Sequence, residues 1–275
     1  MAGIEAEDTA GAATTDPSGA NPLESDGTGY TIENRLGGTA APRYRKWQID
    51  MVRPHCGRRV LELGPGMGHF AAELDELGLD RLVLADTEDY ALEHLRGVYA
   101  NRDDVDVVKL EVPGPVNIGE PVDTIVAMNV IEHIDDDTRA LRDLATALVP
   151  GGRIVIWVPG YPQLYGEFDH KVGHVRRHTP KTLRDHVSRA GLNVEVCRPV
   201  NLFGAFAWWL AVRRGGVSYP KPWLVWLYDN VGIPVTRGLE RIARPPFGQT
   251  VFCVASKPAP GRRLAVTARD EKRKS

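Results

Sequence analysis

Along the middle of the chain, short apolar runs rich in Val, Ile and Leu alternate with stretches whose apolar residues recur three and four positions apart. The runs predict strands at Arg59–Leu63, Arg81–Ala85, Val105–Leu110, Val122–Met128, Arg153–Val158, Asn193–Val200 and Thr250–Ser256. The spaced stretches predict helices over roughly Ala41–Arg53, Gly68–Leu77, Asp89–Val98, Asp136–Leu148 and Pro180–Ala190. The fourth places Leu141, Leu144 and Leu148 on one face before Pro150-Gly151-Gly152. The fifth opens on Thr179 as N-cap with Pro180 in its first turn. Strand–helix alternation of this length means a mostly parallel sheet covered on both faces, with ligands beyond the carboxyl ends of the strands. The expected fold is therefore α/β, a doubly wound, Rossmann-like sheet.

Two stretches break the rhythm. Gly160–His178 is a long loop after the fifth strand, and Asn201–Gln249 is an insertion between the sixth and seventh. Segments this long inside a compact domain are usually functional. Residues 1–29 are mostly small and polar and read as a disordered leader. Residues 30–260 then form one domain, with the insertion at 201–249, and 261–275 form a basic, disordered tail.

Composition narrows the partners. Of 275 residues, 43% are hydrophobic and 25% charged, ordinary for a protein with a packed core, and the net charge of −2 offers no field for nucleic acid. Cys56, Cys197 and Cys253 are scattered without a CxxC pair, which reads as reduced thiols. No secretory signal is visible and no apolar run approaches bilayer length, so the expected location is cytoplasmic.

The most specific chemistry lies in Val60-Leu61-Glu62-Leu63-Gly64-Pro65-Gly66-Met67-Gly68, where a strand turns into a helix. Glycines let the chain turn sharply and a ligand lie against the backbone. A dinucleotide site would want a small residue where His69 stands. Gly-x-Gly-x-Gly behind an acid suits a cofactor without pyrophosphate, with Glu62 facing a cationic amino group. Asp86, closing the second strand, can accept both ribose hydroxyls, or can serve only as a helix N-terminal acid. Leu110 and Glu111 close the third strand, where they can border an adenine or, for Glu111, lie in solvent.

Together with Val122-Asp123-Thr124-Ile125-Val126-Ala127-Met128-Asn129-Val130-Ile131-Glu132-His133-Ile134 and Leu148-Val149-Pro150-Gly151-Gly152-Arg153-Ile154-Val155-Ile156, this turn resembles the class I S-adenosylmethionine-dependent methyltransferases over about Tyr44–Lys257. The resemblance implies a seven-stranded sheet whose last strand is antiparallel, and S-adenosyl-L-methionine as cofactor. It implies Glu62, Gly64, Gly66 and Gly68 around the methionine moiety, Asp86 on the ribose, Leu110-Glu111 near adenine and Asn129 beside the sulfonium. Quinone-pathway O-methyltransferases that the fourth-strand stretch resembles carry a metal-binding acid where Asn129 stands; the departure leads us to expect no metal.

Methyl transfer is mainly a matter of alignment, with a general base needed where the nucleophile carries a proton. His133 is the candidate base, or an orienting residue within its motif, and His174 is a second candidate. Tyr161, Tyr165, Asp169, His174 and Arg177 form either an acceptor-facing lid or a set of loop-bracing hydrogen bonds. The insertion aromatics, Trp208 and Trp226 among them, can line an acceptor pocket, touch a membrane surface or serve as core. The expected activity is methyl transfer to oxygen or nitrogen of a small-molecule acceptor in a secondary-metabolite or quinone-like pathway. The alternatives are a lipid- or polyprenyl-linked sugar acceptor at the membrane surface, and a non-catalytic adenosylmethionine-binding protein.

Overall fold

A computed structural model describes residues 41–210 and 222–259. The expected leader, the basic tail and part of the insertion lie outside the described residues. In chain order the elements are α1 (Pro42–Val52), β1 (Arg59–Leu63), α2 (His69–Asp75), β2 (Arg81–Asp86), α3 (Asp89–Val98), β3 (Val105–Lys109), β4 (Val122–Met128), α4 (Asp137–Leu144), β5 (Leu148–Pro159), α5 (Glu167–Lys171), α6 (Pro180–Arg189), β6 (Asn193–Val200), α7 (Leu202–Trp208), α8 (Pro222–Leu227), α9 (Ile233–Ile242) and β7 (Thr250–Ser256).

The seven strands form one sheet in the order β3-β2-β1-β4-β5-β7-β6. β1 to β5 pair in parallel, and β7 inserts antiparallel between β5 and β6. This is the expected doubly wound sheet with a reversed last strand. The chain order switches direction at β1, where the sheet leaves a crevice over its carboxyl edge.

Strand alternation divides the apolar residues between the two faces. Leu61, Leu63, Ile125, Ile154 and Ile156 meet Leu141 and Leu144 of α4 and Leu183 and Val187 of α6. Val60, Leu84, Val126, Val155 and Trp157 meet Ile49 and Val52 of α1 and Phe70 and Leu74 of α2. Each fully buried aliphatic side chain contributes roughly 1.5–3 kcal/mol. Glu62 falls on the same side of β1 as Val60, so the alternation drives a carboxylate beneath α1 and α2.

Local signals act where they were expected. Thr179 Oγ1 accepts the N–H of Thr182 at 3.1 Å, with Pro180 opening α6. Asp136 accepts the N–H of Arg139 at 3.0 Å and caps α4. One boundary differs: α4 stops at Leu144, and Leu148, expected to end the helix, instead opens β5 by pairing with Val122. The sheet's demand for a partner overrides a helical spacing that Pro150 would soon have ended anyway.

Candidate functional site

The first half of the site grows from the turn after β1. Gly64, Gly66 and Gly68 have φ of 68°, 55° and 76°, the left-handed region that glycine enters at no steric cost. A Cβ on Gly64 would lie 2.6 Å from Val130 Cγ2, and one on Gly68 would lie 2.8 Å from Leu95 Cδ2. The turn therefore needs glycine twice over, for its dihedrals and for its packing. Asp86 fixes it from the neighbouring strand: Oδ2 accepts the N–H of Gly66 at 3.1 Å, and Oδ1 accepts those of Thr87 and Glu88 at 2.8 and 3.0 Å.

Above the turn lies a cavity of about 370 Å³. It gathers Glu62, Gly64, Asp86 and Leu110 with Asn129 and His133. Gly66 and Gly68 shape the turn from outside the lining, and Glu111 is exposed beside it. Glu62 is 1% exposed; burial, and next the charge of Asp86, push its carboxyl up to about 8. A carboxyl so placed gains most from a cationic ligand. Asn129 sits at φ 54° with its N–H donated to Trp157 O at 2.8 Å, a strained non-glycine residue at the cavity wall.

The opposite wall is α1, through Tyr44, Arg45 and Gln48. Sequence reasoning missed these residues. The available signal was a helix face carrying Tyr, Arg and Gln at one turn's spacing just before the glycine motif. α1 is held by the insertion: the Asp229 carboxylate accepts the N–H groups of Arg43 and Tyr44 at 3.1 and 2.8 Å, and Arg237 pairs with Asp50 at 2.7 Å. Below it, Trp157 Nε1 donates to Tyr44 Oη at 3.2 Å, within an edge-on cluster of Tyr44, Trp47 and Trp157.

At the far end of the cavity lie His133, Ile134 and Val172. His133 Nδ1 lies 3.2 Å from Gly173 O, which brings the 160–178 loop against the β4 turn. His174 lies behind it, buried, with ring centroids 4.8 Å apart. Asp169 Oδ1 meets His174 Nδ1 at 2.7 Å and accepts Arg177 Nε at 2.8 Å, while Oδ2 accepts the N–H of Gly166 at 2.9 Å. Burial would raise the Asp169 carboxyl, but the His174 hydrogen bond and the Arg177 charge hold it below the usual carboxylate range.

The expected acceptor-facing residues are placed otherwise. Tyr161, Tyr165, Asp169, Arg177, Trp208 and Trp226 do not line the cavity. Asp169 and Arg177 are buried in the loop's own network, and Tyr165 Oη donates to His174 O at 2.6 Å. Trp208 packs edge-on against Phe168 at 5.0 Å, lies under the Arg177 guanidinium at 5.1 Å and donates to Leu164 O at 3.1 Å. Tyr161 donates to Pro246 O at 3.2 Å. Trp226 is 63% exposed. Tyr165, Asp169 and Arg177 find partners within the loop, the bracing arrangement, and a left-handed Gly173 (φ 81°) turns the backbone between Asp169 and Arg177.

A sheet of this order, with a glycine turn, a strand-end acid and a cavity at the switch point, defines a nucleoside-cofactor α/β protein. A family model described as a methyltransferase domain matches residues 34–196, and the chain belongs to that family, the class I S-adenosylmethionine-dependent methyltransferases. S-adenosyl-L-methionine is the family's cofactor. An uncharacterized methyltransferase of Mycobacterium bovis is 33% identical over 117 residues, covering 42% of this chain and 46% of its own. The ubiquinone/menaquinone biosynthesis C-methyltransferase of Vibrio campbellii is 29% identical over 136 residues, covering 46% and 51%. The chain thus spans about half the length of these curated relatives. The crystal structure of an S-adenosylmethionine-dependent methyltransferase from Mesorhizobium loti shares the fold, with a TM-score of 0.55 at 17% identity over 81% of this chain and 100% of that one.

Proposed function

We propose that the protein transfers the methyl group of S-adenosylmethionine to an oxygen or nitrogen of a small-molecule acceptor. The observation that carries this reading is the single cavity in which Glu62, Asp86 and Leu110 share walls with Asn129 and His133. In this reading Glu62 meets the cofactor's amino group, Asp86 the ribose, Leu110 the adenine, and the Asn129 turn the sulfonium end. The methyl carbon then points toward His133, where an acceptor would approach between Ile134 and Val172. The attacking atom forms the new bond to carbon as the carbon–sulfur bond breaks, its electron pair staying on sulfur. In-line placement provides most of the acceleration. Incubating the protein with methyl-labelled cofactor and fractionated extract, then following label into small organic products, tests the activity. Cofactor binding without label transfer to any fraction would favour the non-catalytic alternative.

A second observation bears on the acceptor. Phe206, Trp223, Trp226 and Ile242 of the insertion are 56%, 60%, 63% and 86% exposed, and Arg241 and Arg244 of the same segment are exposed too. Exposed aromatics beside basic residues fit the interfacial zone of an anionic lipid surface. A lipid-linked or quinone-like acceptor held there would enter a cavity whose α1 wall the insertion supports. Among the described residues no helix is long and apolar enough to cross a membrane. Sedimentation with anionic and with neutral vesicles tests this reading: binding to the first alone is expected.

A further inference from the structure

We infer that Glu132, His133 and His174 form a site for one divalent transition-metal ion, Zn²⁺ being the reference ion, at the acceptor end of the cavity. One donor atom from each residue lies within 4.8 Å of the others. Bonds of about 2.1 Å from zinc to nitrogen and oxygen put tetrahedral ligands roughly 3.4 Å apart, so the set, within 4.8 Å, closes on an ion by a contraction of at most about 1.4 Å. No other group of His, Cys, Asp or Glu among the described residues meets this spacing.

The orientation of the two imidazoles favours this reading. A carbonyl oxygen can only accept, so the 3.2 Å contact between His133 Nδ1 and Gly173 O places the proton on Nδ1 and the lone pair on Nε2. Asp169 does the same for His174: its carboxylate holds Nδ1–H at 2.7 Å, and His174 Nε2 lies 3.8 Å from Glu132 Oε1. A carbonyl or carboxylate on the far nitrogen is the arrangement that metal-bound histidines use to fix tautomer and ring plane. Arg177, on the same Asp169 oxygen, keeps that acid in place. Glu132 and His174 are 0% and 5% exposed, and the N–H of Val175 donates to Glu132 O at 3.0 Å, so the loop carrying the third donor is pinned to the turn carrying the first two.

Two imidazoles and one carboxylate leave positions on the ion for other ligands, and His133, which lines the cavity, sets the ion at its edge. This deepens the function proposed above and rests on it in one respect: the open positions would take an acceptor hydroxyl, phenolic or on a sugar. Bound to the ion, that hydroxyl loses its proton to water at a lower pH. The resulting oxygen anion forms the bond to the methyl carbon, and the carbon–sulfur bond breaks with its electron pair remaining on sulfur. No oxidant or reductant is required. The expectation of no metal rested on Asn129, a position upstream of the motif; the third donor comes instead from the loop after β5.

The full chain, stripped with chelator, is titrated with Zn²⁺ against a chromophoric competitor, and with Co²⁺ by visible absorption. Binding of one ion per chain is expected, with cobalt bands of nitrogen–oxygen ligation. His133→Ala and His174→Ala should each weaken affinity at least tenfold, while His94→Ala, on an exposed helix face, leaves it within twofold. His174→Ala could unfold, which circular dichroism reports; the less buried His133 then carries the comparison. Turnover should fall on chelation and return with Zn²⁺. Absence of ion binding, or equal loss in His94→Ala and His133→Ala, overturns the site. S-adenosylhomocysteine affinity, measured on the same samples, separates the two readings: its absence would sink the proposed function and leave the metal titration standing.

Discussion

Glu62 makes the cofactor half testable by pH. Its carboxyl, driven up to about 8 by burial and by Asp86, is protonated in the free protein near neutrality. A ligand that presents an ammonium group must displace that proton, so binding should release close to one proton below pH 8. Two pH units below that midpoint, affinity should be lower by up to about 100-fold, or roughly 2.7 kcal/mol, than on the plateau above it. The sign for stability is opposite to that of an ordinary salt-bridged acid. The folded protein keeps a proton that the unfolded chain loses near 4.5, so unliganded stability declines as pH rises from about 4.5 to about 8. Titration with S-adenosylhomocysteine in two buffers of different ionisation heat counts the released protons, and Glu62→Gln should abolish both the release and the slope. A flat affinity across pH 6 to 8 in the unaltered protein, with no proton release, would refute the reasoning.

Other consequences follow from the same geometry. Gly64→Ala forces a Cβ into Val130 at a φ that alanine avoids, costing about 1–3 kcal/mol in denaturant unfolding and most of the cofactor affinity. Asp86→Ala removes the acceptor of three backbone N–H groups and should weaken S-adenosylhomocysteine binding by roughly 1.5–3 kcal/mol in calorimetry. Trp208→Ala should destabilise the fold by about 3 kcal/mol, because it opens the packing of Phe168 and Arg177. Trp226→Ala should leave stability and cofactor affinity unchanged while lowering co-sedimentation with anionic vesicles; loss of cofactor affinity would contradict its outward placement.

The glycine-turn half of the cavity was legible because its residues are contiguous. Glu62 and the three glycines lie within one turn, and Asp86 lies one strand away, so residue type and spacing carry the information. The strands were legible for a related reason: a run buried on both faces, such as Ile154–Val158, has few other conformations that hide it from water. Tyr44, Arg45 and Gln48 were not legible, since what makes them a wall is the Asp229 carboxylate, far away in the chain. His174 was named from the sequence, but its setting was not. Its polar neighbours suggested a surface facing a ligand, whereas Asp169 and Arg177 turn inward and hold the loop shut. Charge in a loop does not say which way a side chain points; the partners within reach decide, here with a left-handed Gly173 turning the backbone between Asp169 and Arg177. Leu148 shows the converse, a local pattern overruled by a neighbour's open edge.

The clasp of Asp229 on the first turn of α1 determines when the wall of the cavity is completed during synthesis. A ribosome that has released everything through β5 has made the glycine turn, Asp86, the Asn129 corner and the core contacts of Ile49 and Val52, yet the first turn of the wall opposite lacks the Asp229 clasp. Only when the segment around Asp229 emerges do the N–H groups of Arg43 and Tyr44 gain their acceptor. Until then that end of the wall is unclasped, and a shortened version ending after β6 would keep every recognisable motif while lacking the clasp. The insertion is for this reason not a removable accessory: excising it to trim the protein toward a minimal core would take away the latch of the cofactor chamber along with the aromatic surface.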